Sequence, residues 1–109
     1  MKMVTAIVNK KDTLRVCHAL TENGVEFTRL ATTGGFLRAG NTTLLIGIDD
    51  ERLEMTLGLI RKNCARRMEK VSATPTAGTT IGMHSQSVAE VMVGGAIVFV
   101  NDVSYFEKM

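Results

Sequence analysis

The sequence predicts an α+β fold of the ferredoxin-like type, in which two helices lie on one face of an antiparallel sheet. Two observations support this fold class. Apolar runs with strand character and two stretches of helical periodicity follow one another in the order β-α-β-β-α-β, with one inserted hairpin. The 109 residues also suit one domain, so residues 1–109 are taken as a single unit.

The first strand and the first helix follow from local signals. A β-branched run at 3–9 is typical of a strand. The helix over 12–23 begins at Asp12, a favourable N-cap, and ends before Gly24, a residue that suits the position after a helix. One apolar face of this helix is expected to be buried, formed by Leu14, Cys17 and Leu20.

Two strands and a second helix come next. The strand at 25–33 alternates between two faces, and the strand at 42–48 is apolar. Acidic residues at 49–51 suit the positive end of a helix dipole. The helix itself is marked by a stripe of apolar residues at helical spacing, namely Leu53, Leu57, Ile60 and Cys64.

The last third of the chain is predicted to hold three strands and a long loop. Strands are expected around 68–74, at 88–93 and at 96–100. The segment 75–87 has no periodicity and is rich in Thr, Gly and Ser, which indicates a long flexible loop. Because Gly94-Gly95 separates two strands, it predicts a tight hairpin turn between them.

Two of the strands are apolar on both alternations. These are "TLLIGI" at 43–48 and "AIVFV" at 96–100. Such strands are expected to be buried on both faces, whereas a two-layer domain leaves one face of its sheet in water. The sequence therefore predicts that the chain oligomerises through the open face of the sheet.

Composition excludes several classes of function. The net charge of +2, from 13 basic and 11 acidic residues, is too small to favour a nucleic-acid polymer as partner. The apolar runs are too short for membrane insertion, and no signal peptide is visible, so a cytoplasmic protein is expected. Cys17 and Cys64 form no metal-binding pattern and are read as small buried apolar residues.

Residues suited to catalysis are few, and no enzyme activity is expected. His18 is predicted on a helix surface and His84 in the long loop, and no standard catalytic, metal or cofactor motif is present. Arg38 and Asn41 resemble the Arg and Asn pair of ferredoxin-like acylphosphatases, but no phosphate-binding loop leads from them into a helix. Neither a metal nor a cofactor is predicted.

The connector between the second and third strands is richer in chemistry than a turn requires. Gly34, Gly35 and Gly40 allow a ligand to approach the backbone closely, and Phe36 offers a flat surface for a base. The Asn41 amide presents a donor and an acceptor that match an adenine edge. An unusual hairpin with Phe36 in the core explains the same residues equally well, so their pattern leaves both interpretations open.

Several motifs resemble those of the PII-like cyclic-di-AMP receptors of Gram-positive bacteria, the PstA or DarA family. The similarity spans essentially the whole chain. It rests on "AIV" near the start, "LATTGGFLRAGNTT" at 30–43, "GIDDER" at 47–52 and "VGGAIVFV" at 93–100.

The resemblance implies a homotrimeric, PII-like signal receptor that binds cyclic di-AMP in clefts between subunits and signals through its loops. It does no chemistry on that ligand, and it passes the signal to a downstream protein that the sequence does not identify. The alternative is a PII-like trimer that binds another adenine nucleotide or none. The pocket residues that the resemblance implies are Thr28, Gly35, Phe36, Leu37, Arg38, Asn41, Gly47 and Phe99.

Two departures from the family pattern bear on ligand binding. Well-matched receptors tend to have an Arg where this chain has Glu26, and an acid facing the cleft weakens the binding of a dianionic ligand. The long loop reads "AGTTIGMHSQSVAE" where the family often carries a Gly-Gly followed by Tyr and Pro.

Overall fold

A computed structural model of the chain describes residues 1–32, 40–72 and 88–109. Its regular elements follow in chain order: β1 (Lys2–Asn9), the 3-10 helix η1 (Lys10–Asp12), α1 (Thr13–Glu22), β2 (Thr28–Thr32), β3 (Asn41–Ile48), the 3-10 helix η2 (Asp50–Arg52), α2 (Leu53–Asn63), β4 (Arg67–Ser72), β5 (Val88–Val93) and β6 (Ala96–Asp102).

The described strands form two separate antiparallel sheets. One sheet has four strands in the order β2-β3-β1-β6, and the other is the two-stranded hairpin β4-β5. With α1 and α2, the four-stranded sheet gives the β-α-β-β-α-β order, and β4-β5 is the inserted hairpin. The predicted α+β, ferredoxin-like fold is confirmed.

The core lies between one face of the four-stranded sheet and the two helices. Val4 pairs with Ile46 and Ala6 with Leu44 in the register of β1 and β3, and all four side chains are buried. They share one cluster with residues of both helices, among them Val16, Leu20 and Ile60. The two helices therefore cover the same face of the sheet, as the sequence predicts.

The helices match their predicted patterns in part. In α2, Ile60 and the adjoining Cys64 are buried, while Leu53 and Leu57 pack against the core, so the predicted stripe is confirmed. In α1 the face is rotated, because Leu14 is 77% exposed and Val16 is buried in its place. The prediction for Leu14 was wrong.

The predicted end of α1 is confirmed, whereas its predicted N-terminal cap is confirmed only in position. Gly24 follows the helix with a φ of +71°, a backbone conformation that favours glycine, as predicted. Asp12 lies at the N-cap position but makes no side-chain capping hydrogen bond. Its carboxylate instead accepts hydrogen bonds from Arg15 and Arg67.

The predicted Gly94-Gly95 hairpin turn is wrong. The strand before these glycines, β5, pairs with β4, whereas the strand after them, β6, pairs with β1. Gly94 and Gly95 have φ values of +85° and +88° and carry the chain from one sheet to the other. The predicted loop at 75–87 lies outside the described residues.

Candidate functional site

The open face of the four-stranded sheet carries a row of four side chains, one from each strand. Thr28 of β2 is opposite Leu45 of β3, Leu45 is opposite Thr5 of β1, and Thr5 is opposite Phe99 of β6. Because side chains alternate between faces, this row lies on the side away from the helices. We call Thr28, Leu45, Thr5 and Phe99 the open-face row.

The two ends of the open-face row are exposed. Thr28 is exposed on β2, and Phe99 is 46% exposed on β6. Beside the row, Leu30 is 43% exposed. The two exposed apolar side chains, Leu30 and Phe99, thus lie on the same face of the sheet but at its opposite edges.

Gly47 leaves bare backbone on this face of the sheet. It lies two residues beyond Leu45 on β3, is exposed, and is paired with Met3 of β1. A Cβ placed on Gly47 would meet nothing within 4 Å. The position therefore offers a polar backbone that a ligand can approach closely.

Asn41 lies at the other end of the same strand. It pairs with Asn9 of β1 and Thr32 of β2, and only 7% of its surface is exposed. It lies four positions before Leu45, which corresponds to about 13 Å along a strand. Asn41 and the open-face row are therefore two separate positions along the sheet.

Thr28 and Phe99 lie at opposite edges of the sheet. Within the described chain, β2 is one edge strand of the four-stranded sheet and β6 is the other. Three strand spacings separate their side chains, which is about 14 Å. One subunit alone therefore does not bring these two residues together.

Four of the residues expected in the pocket, Gly35, Phe36, Leu37 and Arg38, lie outside the described residues. The described chain resumes at Gly40, whose φ is +92°. Glu26 is exposed, two residues before Thr28. Thr5 and Leu45, which the sequence analysis did not single out, lie between Thr28 and Phe99 because their strands share the two-residue period of side chains.

A separate groove lies on the helix side of β6. It has a volume of about 500 Å³ and is lined mainly by apolar side chains of α2 and β6. Arg61 and Arg66 also line it. Of the predicted pocket residues, the four that the structure describes, Thr28, Asn41, Gly47 and Phe99, do not line it. The apolar lining includes Leu57, Ile60, Val98 and Val100.

Three further residues that the sequence analysis considered for chemistry, His18, Cys17 and Cys64, lie among the described residues. His18 is on the surface of α1, where Nε2 lies 2.5 Å from Oε1 of Glu22. Burial raises the pKa of the Cys64 thiol to about 11, and burial also raises the pKa of Cys17. Both thiols are therefore protonated at neutral pH, and this uncharged form suits their buried positions.

The described part of the chain, residues 1–32, 40–72 and 88–109, holds no group of three or more His, Cys, Asp or Glu side chains placed to bind a metal ion. Its helices are each too short or too polar to cross a membrane.

The family model for cyclic-di-AMP receptors matches residues 1–109, the whole chain. The chain belongs to the cyclic-di-AMP receptor family. It is thus a nucleotide-binding protein of signal transduction, with cyclic di-AMP as its ligand. This confirms the resemblance that the motifs at 30–43 and 93–100 indicated.

A solved structure supports the fold of this receptor. The crystal structure of a functionally unknown protein from Pediococcus pentosaceus is similar, with a TM-score of 0.78 and 39% sequence identity. The match covers 99% of the receptor and 96% of that chain. The similarity therefore extends over the full described architecture.

Proposed function

We propose that this receptor is a homotrimer, and that cyclic di-AMP binds in the clefts between neighbouring subunits. The observation that carries the proposal is the position of Thr28 and Phe99 at opposite edges of one sheet. A head-to-tail contact between copies places the β2 edge of one subunit beside the β6 edge of the next. Three such contacts close a ring and unite Thr28 of one subunit with Phe99 of its neighbour.

The proposed pocket suits both halves of the ligand. Cyclic di-AMP has two adenines, so it reaches groups as far apart as Asn41 and the open-face row. The Asn41 amide matches an adenine edge, and Phe36 offers a stacking surface. Thr28 points a hydroxyl toward phosphate, and bare backbone at Gly47 leaves room for the sugar-phosphate ring. Gly35, Leu37, Arg38 and Phe99 complete the proposed set.

Calorimetry with purified protein and cyclic di-AMP tests the pocket. Gly47→Val fills the open space without straining the strand, so it is expected to fold normally and bind more weakly. Asn41→Ala removes a paired donor and acceptor and is expected to weaken binding about ten- to a hundredfold. Gly58→Ala, on α2 far from the open face, is the matched glycine control. Wild-type binding by Gly47→Val would place the ligand elsewhere.

A second candidate is a trimer that prefers another adenine nucleotide. The observation in its favour is the exposed carboxylate of Glu26, two residues before Thr28. A panel of cyclic di-AMP, ATP, AMP and cyclic di-GMP in the same calorimeter separates the two candidates. A stronger response to another nucleotide than to cyclic di-AMP favours the second.

Signalling, in this proposal, follows from rearranged loops at the clefts, and the ligand itself is released unchanged. The prediction is that cyclic di-AMP incubated with the receptor is recovered intact by chromatography. A linear or hydrolysed product, lost in Arg38→Ala, would indicate an enzyme. A cytoplasmic location and an as yet unidentified downstream protein remain predictions from the sequence.

A further inference from the structure

The short helix η1 lies between two parts of the molecule that are far apart in sequence. Its first residue, Lys10, donates a backbone hydrogen bond to the carbonyl of Gly40 at 3.3 Å. The preceding residue, Asn9, pairs with Asn41 and accepts a hydrogen bond from the backbone N–H of Lys11. One end of η1 is thus fixed to the start of β3, where the proposed adenine-binding amide lies.

The other end of η1 holds the base of the β4-β5 hairpin. The Asp12 carboxylate is completely buried, and it accepts two hydrogen bonds from the Arg67 guanidinium, at 2.9 Å and 3.4 Å. Arg15 donates a third at 2.6 Å. On the surface, Nζ of Lys11 lies 3.5 Å from Oε1 of Glu69. Arg67 and Glu69 both belong to β4.

We call the contacts of Asp12 with Arg67 and of Lys11 with Glu69 the joint. The direction of the hairpin depends on this joint. In the described chain, β4 and β5 pair with each other and with no strand of the four-stranded sheet. An isolated two-stranded hairpin is only marginally stable in water. A buried carboxylate is costly unless its partners stay in place, so Asp12 strongly favours one position of Arg67.

Glycine at the base of the hairpin makes the joint compact. A Cβ on Gly94 would come within 2.7 Å of the Ala65 carbonyl oxygen and of Nη1 of Arg67, and within 3.2 Å of Oδ2 of Asp12. The backbone N–H of Gly95 donates to the carbonyl of Cys64. The hairpin therefore has little freedom to rotate without breaking the Asp12–Arg67 pair.

We propose that η1 couples the Asn41 end of the binding site to the direction of the β4-β5 hairpin. This inference rests on the proposed function, because it takes ligand contact at Asn41 as the event that is transmitted. Movement of Asn41 displaces Asn9 and Lys10 through their backbone hydrogen bonds, and Asp12 is only two residues further on. Because coupling between two sites is reciprocal, the factor by which bound ligand favours one position of the hairpin is also the factor by which fixing the hairpin in that position raises ligand affinity.

Hydrogen exchange with and without cyclic di-AMP tests the coupling. In the wild type, saturating ligand is expected to change the exchange of hairpin amides, at 67–72 and 88–93, by about tenfold. Arg67→Gln is expected to lose this response while still binding ligand. Arg66→Gln, at the neighbouring exposed arginine, is the matched control and should respond as the wild type does. An unchanged response in Arg67→Gln would overturn the proposal, as would a wild-type hairpin insensitive to bound ligand.

A ligand-free comparison separates this inference from the proposed function. Without nucleotide, Arg67→Gln is expected to speed exchange both in the hairpin and at 40–43, since η1 joins them. Faster exchange in the hairpin alone would refute the coupling even if cyclic di-AMP binds. Failure of the wild type to bind cyclic di-AMP would refute the proposed site but leave this comparison decisive.

Arg67→Lys serves if Arg67→Gln does not fold. Lysine keeps the charge beside Asp12 but lacks the planar fork that donates two hydrogen bonds. The hairpin amides of Arg67→Lys are expected to exchange faster than those of the wild type and of Arg66→Gln. They are expected to exchange more slowly than those of Arg67→Gln. Wild-type exchange in Arg67→Lys at both segments would show that the paired geometry is not needed, which contradicts the proposal.

Discussion

Phe99→Asp tests whether the β6 edge of the open face lies at the proposed contact between subunits. Phe99 is 46% exposed in the single chain, and a large aromatic side chain buries roughly 200 Å² when fully covered. Assembly would then remove at most about 90 Å² of apolar surface per subunit, worth at most about 2.3 kcal/mol at 25 cal/mol per Å². Over three subunits this is at most about 7 kcal/mol, or about five powers of ten in the association constant.

Light scattering at micromolar concentration measures the effect. The wild type is expected to scatter as a trimer and Phe99→Asp as a monomer, because a carboxylate also costs free energy when buried in an apolar contact. Leu14→Asp is the control, since Leu14 is 77% exposed on α1 and lies on the opposite side from the open face. Circular dichroism verifies that both variants are folded. A trimeric Phe99→Asp, or a monomeric wild type, would refute the reasoning.

Three further predictions concern thiols, helix stability and ligand charge. Burial raises the pKa of Cys64 to about 11, so about one such thiol in a thousand is ionised at pH 8. Burial also raises the pKa of Cys17, and both cysteines should therefore resist iodoacetamide until the chain unfolds. Rapid modification of the folded chain, measured by mass spectrometry, would contradict this. Gly58→Ala adds a Cβ that meets nothing within 4 Å inside α2, so urea unfolding should show a gain of about 1 kcal/mol, and a loss would indicate an unseen contact. Glu26→Arg should tighten cyclic di-AMP binding about tenfold by reversing a charge near the phosphate position proposed at Thr28, whereas Glu54→Arg on α2 should leave the calorimetric affinity unchanged.

Local signals in the sequence were sufficient for most of the fold. The stripe that ends at Ile60 and Cys64 faces the core because helical spacing alone aligns those positions. Gly24 follows α1 with a positive φ because a residue without Cβ adopts that conformation at little cost. The apolar strand at 96–100 also indicated an uncovered surface, and Phe99 is indeed exposed on it.

Pairing across long sequence distances could not be read in this way. The run from β5 through Gly94-Gly95 to β6 has the local pattern of a hairpin, yet its two strands belong to different sheets. Asp12 has the local pattern of an N-cap, yet its carboxylate accepts hydrogen bonds from Arg15 and from Arg67, which is 55 residues away. In both cases the local pattern does not contain a partner that is distant in the sequence.

The candidate site divides along the same line. The sequence alone indicated the family, and the resemblance to that family implied Thr28, Asn41, Gly47 and Phe99 as pocket residues, because the motifs that carry such a resemblance are local stretches of the chain. Only the tertiary structure decided that Thr28 and Phe99 occupy opposite edges of one sheet face, and that η1 lies between Asn41 and the hairpin. The reason is physical: strand order and register are set by which distant segments bury their apolar faces together, and no short stretch of sequence contains both partners.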